Sequence, residues 1–471
     1  MKSKPRPLIL LLFCFLAVSI FAKTVEPDWV KDAGAKIQPL STKIFNANTF
    51  GATPDSTKLS SKAIQAAIDE CSKQGGGTVI LNPGKYLIGS IFLKKGVNFH
   101  LDEGVVLLGS PNLTDYPEID TRVAGVEMKW PAALINILDQ ENVCLSGKGL
   151  IDAQGKPFWD SYGAMRSVYV PKGLRWIVDY DCKRPRCVLV QNSKNITVSE
   201  VTIQRSGFWT VQVLYSTYVT INKVFVRNNV GGHGPSTDGV DIDSSTKVLV
   251  ENCNIDCNDD NFCLKAGRDA DGLRVNRPCE YIVIRNCVAG AGGGLITCGS
   301  ETSGGIRNIW VDNLTALGTS VGFRVKSALN RGGVVENIFI NNLTMTNVAV
   351  PIEVTTNWNP SYSYSELPKG FAYDTIPVHW KKMLEKVPAA KGIPVFKNIH
   401  VNNLVATSAR RAISVSGMAE SIVDGFYLDN VVIDARSAGS INYSKGWRFK
   451  NVLLNTPDSL KVTNCIDMQL K

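Results

Sequence analysis

A short strand pattern recurs along most of this chain, and it is the feature that most restricts the possible fold. Each copy alternates apolar residues over four positions, and most copies are followed by Asn and a second short apolar strand. One such unit cannot bury its own apolar face, whereas stacked units bury a continuous core. Most adjacent copies start about 23 to 34 residues apart, at Asn195, Tyr218, Lys247, Tyr281, Asn308, Asn337, Asn398 and Gly425.

The repeat predicts an all-β chain that winds into a single parallel β-helix. Short β-branched strands separated by Asn and Gly, with no helical period between them, argue against βαβ units. Each coil is expected ~4.8 Å above the previous one, the normal spacing of paired strands. The Asn residues are expected at bends because Asn tolerates a left-handed backbone.

Two segments depart from the repeat. Apolar residues at helical spacing between Ser60 and Cys71 predict an amphipathic helix that caps the open N-terminal end of the solenoid. Residues 357–393 are rich in Pro, Tyr, Trp and Ser and predict a loop insertion, a kind of segment that is often functional. Residues 23–471 are therefore expected to form one domain that carries this insertion.

The first 22 residues predict a signal peptide. Lys2, Lys4 and Arg6 precede an apolar run from Leu8 to Ala22, which is too short for a membrane span. No later segment is long and apolar enough to cross a bilayer, so we expect a soluble protein that is secreted or periplasmic. The formal net charge of +9, about +6 without the signal, suits a polyanion. Because the basic residues are scattered in an exported chain, an acidic polysaccharide is favoured over nucleic acid.

The twelve cysteines do not predict a disulfide framework. Cys14 lies in the signal, and several others stand in apolar strand patterns, so buried thiols are the favoured interpretation. Cys182 and Cys187 are close enough in sequence to form a disulfide as the alternative. The absence of a CxxC pair argues against zinc, and neither a metal nor a cofactor is predicted.

Two acidic motifs carry the candidate chemistry: Ser236-Thr-Asp-Gly-Val-Asp241 and Asn258-Asp-Asp-Asn261. Asp238 and Asp259 are 21 residues apart, which is close to one coil, so a solenoid would stack them on neighbouring turns. Clustered carboxylates raise one another's pKa, leaving one protonated as an acid and others ionised as bases. Glycosidic hydrolysis uses such groups, while acidic turns at a solvated edge or a calcium site are the alternatives.

Arg324 and Lys326 form a candidate clamp for an acidic sugar. Alternation along a strand puts both side chains on one face, where two cations could bind a carboxylate. A solvated strand face is the alternative. The 357–393 insertion, Trp159 and Trp209 are candidates for stacking on sugars, although packing is the commoner role of such aromatic residues.

The sequence resembles the polygalacturonases of glycoside hydrolase family 28 from Phe50 to about Asn430. The combination of motifs, in their order, is more specific than any one of them. The resemblance implies a right-handed parallel β-helix that hydrolyses galacturonic-acid linkages in pectin. The motifs are Phe50-Gly-Ala, Ala63-Ile-Gln-Ala-Ala-Ile-Asp, Gly75-Gly-Gly-Thr-Val, Pro83-Gly-Lys-Tyr, Gly147-Lys-Gly-Leu-Ile-Asp-Ala-Gln-Gly155, Arg184-Pro185 and Ser206-Gly-Phe-Trp209.

The resemblance also implies roles for the motif residues in an inverting mechanism. Asp259, the first residue of the family's Asp-Asp motif, would be the general acid. Asp238 and Asp260 would hold and activate the water, and Arg324 and Lys326 would bind the galacturonate carboxylate. The Ser300-Glu-Thr-Ser-Gly-Gly305 stretch is more similar to the exo-acting branch than to the endo-acting branch.

Two positions depart from the family pattern. Gly293 stands where the family's Gly-His-Gly motif has histidine, and Ser236 replaces the asparagine of the Asn-Thr-Asp motif. His233 lies just before this second motif, and one hypothesis is that it reaches the cleft and partly replaces the missing imidazole. An ordinary loop histidine is the alternative.

Several functions therefore remain open from the sequence. The favoured function is that of an exported polygalacturonase of the exo-galacturonidase type, which is expected to act as a monomer on pectin or galacturonan. The two departures leave room for a rhamnogalacturonan hydrolase that cleaves galacturonate–rhamnose linkages. A calcium-dependent polysaccharide lyase and a β-helix that only binds polysaccharide are less favoured, because fold alone does not establish activity.

Overall fold

The computed structural model describes residues 25–36 and 41–470. The signal peptide predicted for residues 1–22 lies outside the described residues. Among the helices of the described residues, no helix is both long and apolar enough to span a bilayer.

The described chain is a right-handed parallel β-helix, which confirms the fold predicted from the repeat. Its parallel strands form a 19-stranded sheet A and a 12-stranded sheet B within the described residues. Sheet A contains Ile44–Asn46, Gly77–Ile80, Gly84–Ile88, Val97–His100, Val105–Gly109, Glu141–Ser146, Leu150–Asp152, Lys194–Ser199, Thr202–Gln204, Thr217–Asn222, Phe225–Arg227, Thr246–Glu251, Asn254–Asp256, Cys279–Ala289, Ile306–Leu317, Val334–Thr346, Val395–Ala409, Phe426–Ala435 and Arg448–Asn455. Sheet B contains Ile91–Phe92, Ile135–Leu138, Val188–Gln191, Val211–Leu214, Val240–Asp243, Phe262–Lys265, Gly294–Cys298, Val321–Lys326, Val350–Thr355, Ile413–Ser416, Gly439–Asn442 and Lys461–Thr463.

Asparagines occupy bends along sheet A, as expected: Asn252 lies between two of its strands, and most others lie within its long strands. Their left-handed backbone lets the chain turn without breaking the coil. Several of their side-chain amides also bond to the asparagine one coil away, as between Asn313 and Asn286 at 2.8 Å. The asparagines with positive φ include Asn252, Asn286, Asn308, Asn313, Asn337, Asn342, Asn398, Asn403 and Asn430.

Strand alternation divides sheet B into an apolar inner face and a polar outer face. The inner face stacks one buried apolar side chain above another through successive coils: Val188, Val211, Val240, Phe262, Ile296, Phe323 and Ile352. The next residue along each strand points outward and forms a second register: Leu189, Gln212, Asp241, Cys263, Thr297, Arg324 and Glu353. The outer face of sheet B therefore carries the polar groups from which a site can be built.

The predicted N-terminal helix is present at Ser61–Lys73 and packs against the first coils. Its buried residues, Ile64, Ala67, Ile68 and Cys71, belong to the main apolar core. The helix therefore covers apolar side chains that no preceding coil would cover. The other α-helices of the described residues are Lys156–Tyr169, Val178–Asp181, Asp269–Val275, Pro360–Ser363, Val378–Met383 and Ala389–Gly392.

Three elements outside the solenoid form a wall over part of sheet B. They are the antiparallel hairpin of Glu118–Val123 and Val126–Pro131, the segment 174–182, and the segment 356–394 that connects two solenoid strands. A second apolar core joins them, with Trp130 from the hairpin, Trp176 from the middle segment and Trp380 from the last. The Trp176 and Trp380 rings meet edge to face with centroids 5.5 Å apart.

The described cysteines are thiols, and all except the half-buried Cys465 are buried. This confirms the interpretation of cysteine as a small buried apolar residue. Cys182 and Cys187 are separate thiols, so the alternative of a disulfide between them is wrong.

Candidate active site

The three motif aspartates lie together in loops that enter adjacent strands of sheet B. Asp238 lies two residues before the strand Val240–Asp243, and Asp259 and Asp260 precede Phe262–Lys265 on the next coil. The backbone of Gly239 donates to the Asp260 carbonyl at 2.9 Å, which continues the strand pairing into the loops. The one-coil spacing in the sequence thus becomes direct stacking in space.

The aspartates line a pocket of about 170 Å³. Asp238 and Asp260 are buried, whereas Asp259 is half-buried and more accessible from the pocket. Carboxylate oxygens of Asp238 and Asp260 lie within 4.8 Å of each other. The remaining lining includes the cations Arg175, Lys265 and Lys326, and the aromatic side chains Phe208, Trp209, Trp358 and Tyr362.

Arg324 and Lys326 lie on one face of their strand, as alternation predicted. The Lys326 ammonium donates to Asp260 Oδ2 at 2.8 Å, and Arg324 donates to Asp260 Oδ1 at 3.2 Å and to Glu353 at 2.7 Å. Both cations also lie under the Trp358 ring of the wall. They therefore hold Asp260 in place, and only Lys326 lines the pocket itself.

The pKa values of the adjacent Asp259 and Asp260 shift in opposite directions. Burial, with the negative charge of Asp260, raises the pKa of Asp259 above its ordinary value. Burial would also raise the pKa of Asp260, but the charges of Lys326 and Arg324 outweigh burial and hold that pKa below its ordinary value. The pair therefore places a carboxyl that favours its proton beside one that stays ionised.

Lys265 and Glu301 are pocket residues that were not predicted as site residues from the sequence. The Lys265 ammonium lies 3.7 Å from Asp238, 3.5 Å from Asp241 and 3.4 Å from Glu301, with all four side chains buried. Alternation in Phe262–Lys265 offered a signal, because it puts Lys265 on the outer face of sheet B, on the coil that carries Asp259 and Asp260. Glu301 had no comparable signal because it lies in a loop.

His233 is the predicted site residue that the structure does not bring into this pocket. It is exposed, bonds to Asn229 Oδ1 at 3.1 Å, and lines a neighbouring cleft with Trp159. The physical reason is the close packing of its loop, since a Cβ atom on Gly234 would lie 2.3 Å from the Trp159 ring. The hypothesis that His233 reaches the site is corrected accordingly.

Ser236 lines the pocket at the position of the expected asparagine. Its hydroxyl donates to Asp179 Oδ1 at 3.4 Å. Asp179 in turn accepts from Arg175 at 2.6 Å and from Arg184 at 3.3 Å, so it is held by two cations. Ser236 therefore connects the motif of Asp238 to the middle element of the wall.

Gly293 faces the two neighbouring aspartates. A Cβ atom at this position would lie 3.1 Å from Asp259 Oδ1 and 3.3 Å from Asp260 Oδ1. Any side chain here would begin in contact with both carboxyl groups. The glycine thus leaves the two carboxyl groups uncrowded, at the place where the resemblance implies an imidazole.

We expect Gly293→Ala to lower kcat/KM on the order of 10- to 100-fold, because a small displacement of a reacting group is costly. Gly163→Ala is the matched control, since a Cβ there meets nothing within 4 Å. Because Gly163 lies inside Lys156–Tyr169, the control should retain activity and gain about 0.5–1 kcal/mol of stability. Steady-state kinetics with both variants checks this, and full activity in Gly293→Ala would contradict it.

A metal ion is disfavoured by the groups that surround the acidic cluster. Among the described residues, ligand atoms of Asp238, Asp260 and Cys263 come within 4.8 Å of one another. Lys265 lies 3.7 Å from Asp238, and Lys326 already bonds to Asp260. Calcium takes oxygen ligands and not a thiol, so the cluster suits proton transfer better than binding of a divalent cation.

The pocket and the fold together define a class of enzyme. Hydrolysis of a glycosidic bond requires one carboxyl group that gives a proton and another that accepts one. The small polar pocket, with its aromatic walls, provides both. A parallel β-helix with this site is a glycoside hydrolase.

Comparison with known proteins identifies the family. The model described as "Glycosyl hydrolases family 28" matches residues 98–377, and one described as "Rhamnogalacturonase A/epimerase, pectate lyase-like" matches residues 44–126. An endo-polygalacturonase of Pectobacterium carotovorum subsp. carotovorum is 30% identical over 330 residues, covering 68% of this chain and 75% of the relative. The chain belongs to glycosyl hydrolases family 28.

Two further relatives extend over more of the chain. The exo-poly-alpha-D-galacturonosidase of Dickeya chrysanthemi is 26% identical over 449 residues, covering 87% of this chain and 70% of that enzyme. The crystal structure of a hyperthermoactive exopolygalacturonase from Thermotoga maritima is similar with a TM-score of 0.74 at 26% identity. That similarity covers 91% of this chain and 94% of the Thermotoga chain.

Proposed function

We propose that this protein is an exo-acting galacturonosidase that hydrolyses α-galacturonic-acid linkages at the ends of pectin-derived chains with inversion. The observation that carries the proposal is the meeting of Asp238, Asp259 and Asp260 in one pocket, where the pKa of Asp259 is raised and that of Asp260 is lowered. Asp259 protonates the leaving glycosidic oxygen as the bond to the anomeric carbon breaks. Asp260, together with Asp238, holds the water that attacks this carbon and accepts its proton.

The cations of the pocket support an acidic sugar as substrate. Lys326 and Arg175 line the pocket beside the aspartates, and cations bind a uronate carboxylate through charge-assisted hydrogen bonds. Arg324 contributes through its bonds to Asp260 and Glu353. The named relatives act on galacturonan according to their names, which agrees with this choice.

The wall supports exo action. Ala124 from the hairpin, Asp179 from the middle segment and Trp358 and Tyr362 from the last segment all line the pocket. The pocket of about 170 Å³ is smaller than the ~300 Å³ at which sites for drug-sized ligands begin. It therefore suits one terminal sugar better than the interior of a polymer, which needs a cleft that is open at both ends.

Defined galacturonate oligomers test this proposal. We expect monogalacturonate as the first product from every chain length, and proton NMR of the new reducing end should show the inverted anomer. The Asp259→Asn variant serves as the inactive control. Early release of mixed oligomers would contradict exo action, and retention of configuration would contradict the mechanism.

The glycine at 293 favours a second candidate, a hydrolase of galacturonate–rhamnose linkages. A side chain at 293 would contact Asp259 and Asp260, so the glycine removes a group from beside the acid and changes which sugar the site can accept. Rhamnogalacturonan oligomers, assayed in parallel with galacturonan oligomers, separate the two candidates by their relative kcat/KM.

Export and a monomeric state are part of the proposal. Removal of residues 1–22 would release the domain into the periplasm or the medium, where the polysaccharide is found. The N-terminal residue of the mature protein, determined by mass spectrometry, and its mass in solution test both points.

A further inference from the structure

Lys265 is a buried cation among the acidic groups of the pocket, and the mechanism above does not use it. Its side chain is 5% exposed. Its ammonium nitrogen lies over the Trp209 ring, 4.7 Å from the ring centroid. The ammonium is 3.7 Å from Asp238 on the preceding coil and 3.4 Å from Glu301 in the loop after the following strand. Asp241, 3.5 Å away, has no hydrogen-bond partner on either carboxylate oxygen among the described residues.

The arrangement of charges around Asp238 gives Lys265 a strong influence on the protonation of this aspartate. Arg324 and Lys326 bond to Asp260 and not to Asp238. Among the described residues, the Lys265 ammonium is the cation that lies within 4 Å of both Asp238 and Asp241, while Arg184 and Arg186 act on them from farther away. The titratable and charged groups that face this part of the site are Asp238, Asp241, Cys257, Asp259, Asp260, Cys263, Glu301, Arg184, Arg186, Arg324, Lys326 and Arg331.

The protonation of this cluster depends on burial, on the neighbouring carboxyl groups and on the positive charge of Lys265. Burial, followed by the charges of Asp241 and Asp259, raises the pKa of Asp238 well above its ordinary value, and Lys265 opposes this. Burial also raises the pKa of Asp241, to about 8, although Lys265 lowers it. Such coupled carboxyls share protons, so the position of a single cation decides which of them is ionised.

We propose that Lys265 is a positioning residue of the active site: its buried ammonium holds Asp238, Asp241 and Glu301 around the pocket floor and, against the effect of burial, favours the ionised form of Asp238, which can accept a proton from water. This inference rests on the proposed function, because it assigns Asp238 to the base side of the reaction. Lys265 acts through Asp238 and takes no proton from the substrate.

Two substitutions of opposite sign test the proposal through the pH profile of kcat/KM. Lys265→Met removes the cation and raises the pKa of Asp238. It should therefore move the acid limb of the profile to higher pH by about one pH unit or more. Asp241→Asn removes a competing anion and should move the same limb to lower pH. At a pH on the wild-type acid limb, the first variant should lose activity at least tenfold.

Two further variants separate charge from packing. Lys265→Arg keeps the charge and should leave the acid limb closer to the wild-type position than Lys265→Met does. Lys450→Met is the matched control, because Lys450 also lies on a solenoid strand and pairs with an aspartate, Asp429, at 2.9 Å, but far from the pocket and largely exposed. Its profile should equal that of the wild type.

The proposal would be overturned if the acid limb of Lys265→Met stays at the wild-type pH. It would also be overturned if the acid limb of Asp241→Asn moves to higher pH. If Lys265→Met does not fold, Asp241→Asn and Lys265→Arg still decide it, because a limb unmoved by the loss of Asp241 contradicts the charge balance. Failure of the proposed function looks different: Asp259→Asn would then remain active, whatever the Lys265 variants show.

Discussion

The Asp259→Asn variant is expected to lose about 10²- to 10⁴-fold in kcat, the usual contribution of a general acid. The amide keeps the shape of the side chain but has no proton to give to the leaving oxygen. The half-buried Asp259 accepts the backbone N–H of Asp260 at 3.0 Å, and an amide oxygen can accept the same bond. Steady-state kinetics on galacturonate oligomers gives the measurement.

Binding and folding should survive this substitution. The dissociation constant for an oligomer, measured by calorimetry, and the melting temperature should remain close to those of the wild type. Asp434→Asn is the control, since Asp434 bonds to Asn455 on a C-terminal coil remote from the pocket. Turnover in Asp259→Asn within a few-fold of the wild type would exclude Asp259 as the acid.

Lys326→Met should be the most destabilising change in the site, by about 3–5 kcal/mol, because it leaves the buried Asp260 charge without its shortest ion pair. The lysine side chain is 8% exposed and that of Asp260 is 1% exposed, so water cannot replace the ammonium. Denaturant unfolding of Lys326→Met and of the Lys450→Met control measures the loss. The control should change stability by only about 0.5 kcal/mol.

The stability difference between the wild type and Lys326→Met should depend on pH. The pKa of Asp260 is lowered in the folded state, so its contribution is present above the unfolded value of about 3.9 and is lost as the pH falls through the folded value. Burial would lower the pKa of Lys326, but Asp260 raises it above the ordinary value. That contribution is full below about pH 10.4 and is lost as the pH rises through the folded value.

The difference should therefore be greatest between about pH 4 and pH 10. Adding Asp260→Asn to Lys326→Met should recover part of the lost stability, because it removes the uncompensated charge. A double variant less stable than Lys326→Met alone, or a difference independent of pH, would contradict the role assigned to the ion pair.

Much of the fold could be predicted because its signals are local. Alternation within single strands identified the face shared by Arg324 and Lys326, and the structure confirms it. The asparagines at bends and the helix Ser61–Lys73 were also predicted from neighbouring residues. In each case the information lies within one coil, where backbone preference and apolar periodicity act directly.

The site was only partly predictable because its members come from different coils and loops. Lys265 was overlooked since its importance depends on Asp238 one coil earlier and on Glu301 in a later loop. The predicted position of His233 was wrong because its glycine-rich loop packs against Trp159. That packing is a tertiary contact, which residues near His233 in the sequence do not reveal.

The sequence by itself determined the solenoid and the one-coil spacing that stacks Asp238 near Asp259 and Asp260. A repeat of nearly constant length must place equivalent residues above one another once the strands pair. The tertiary structure alone decided how the wall limits the pocket and which cation lies beside which aspartate. Lys326 and Arg324 pair with Asp260, whereas Lys265 lies beside Asp238, because the folded loops set which charged groups come within 4 Å of one another.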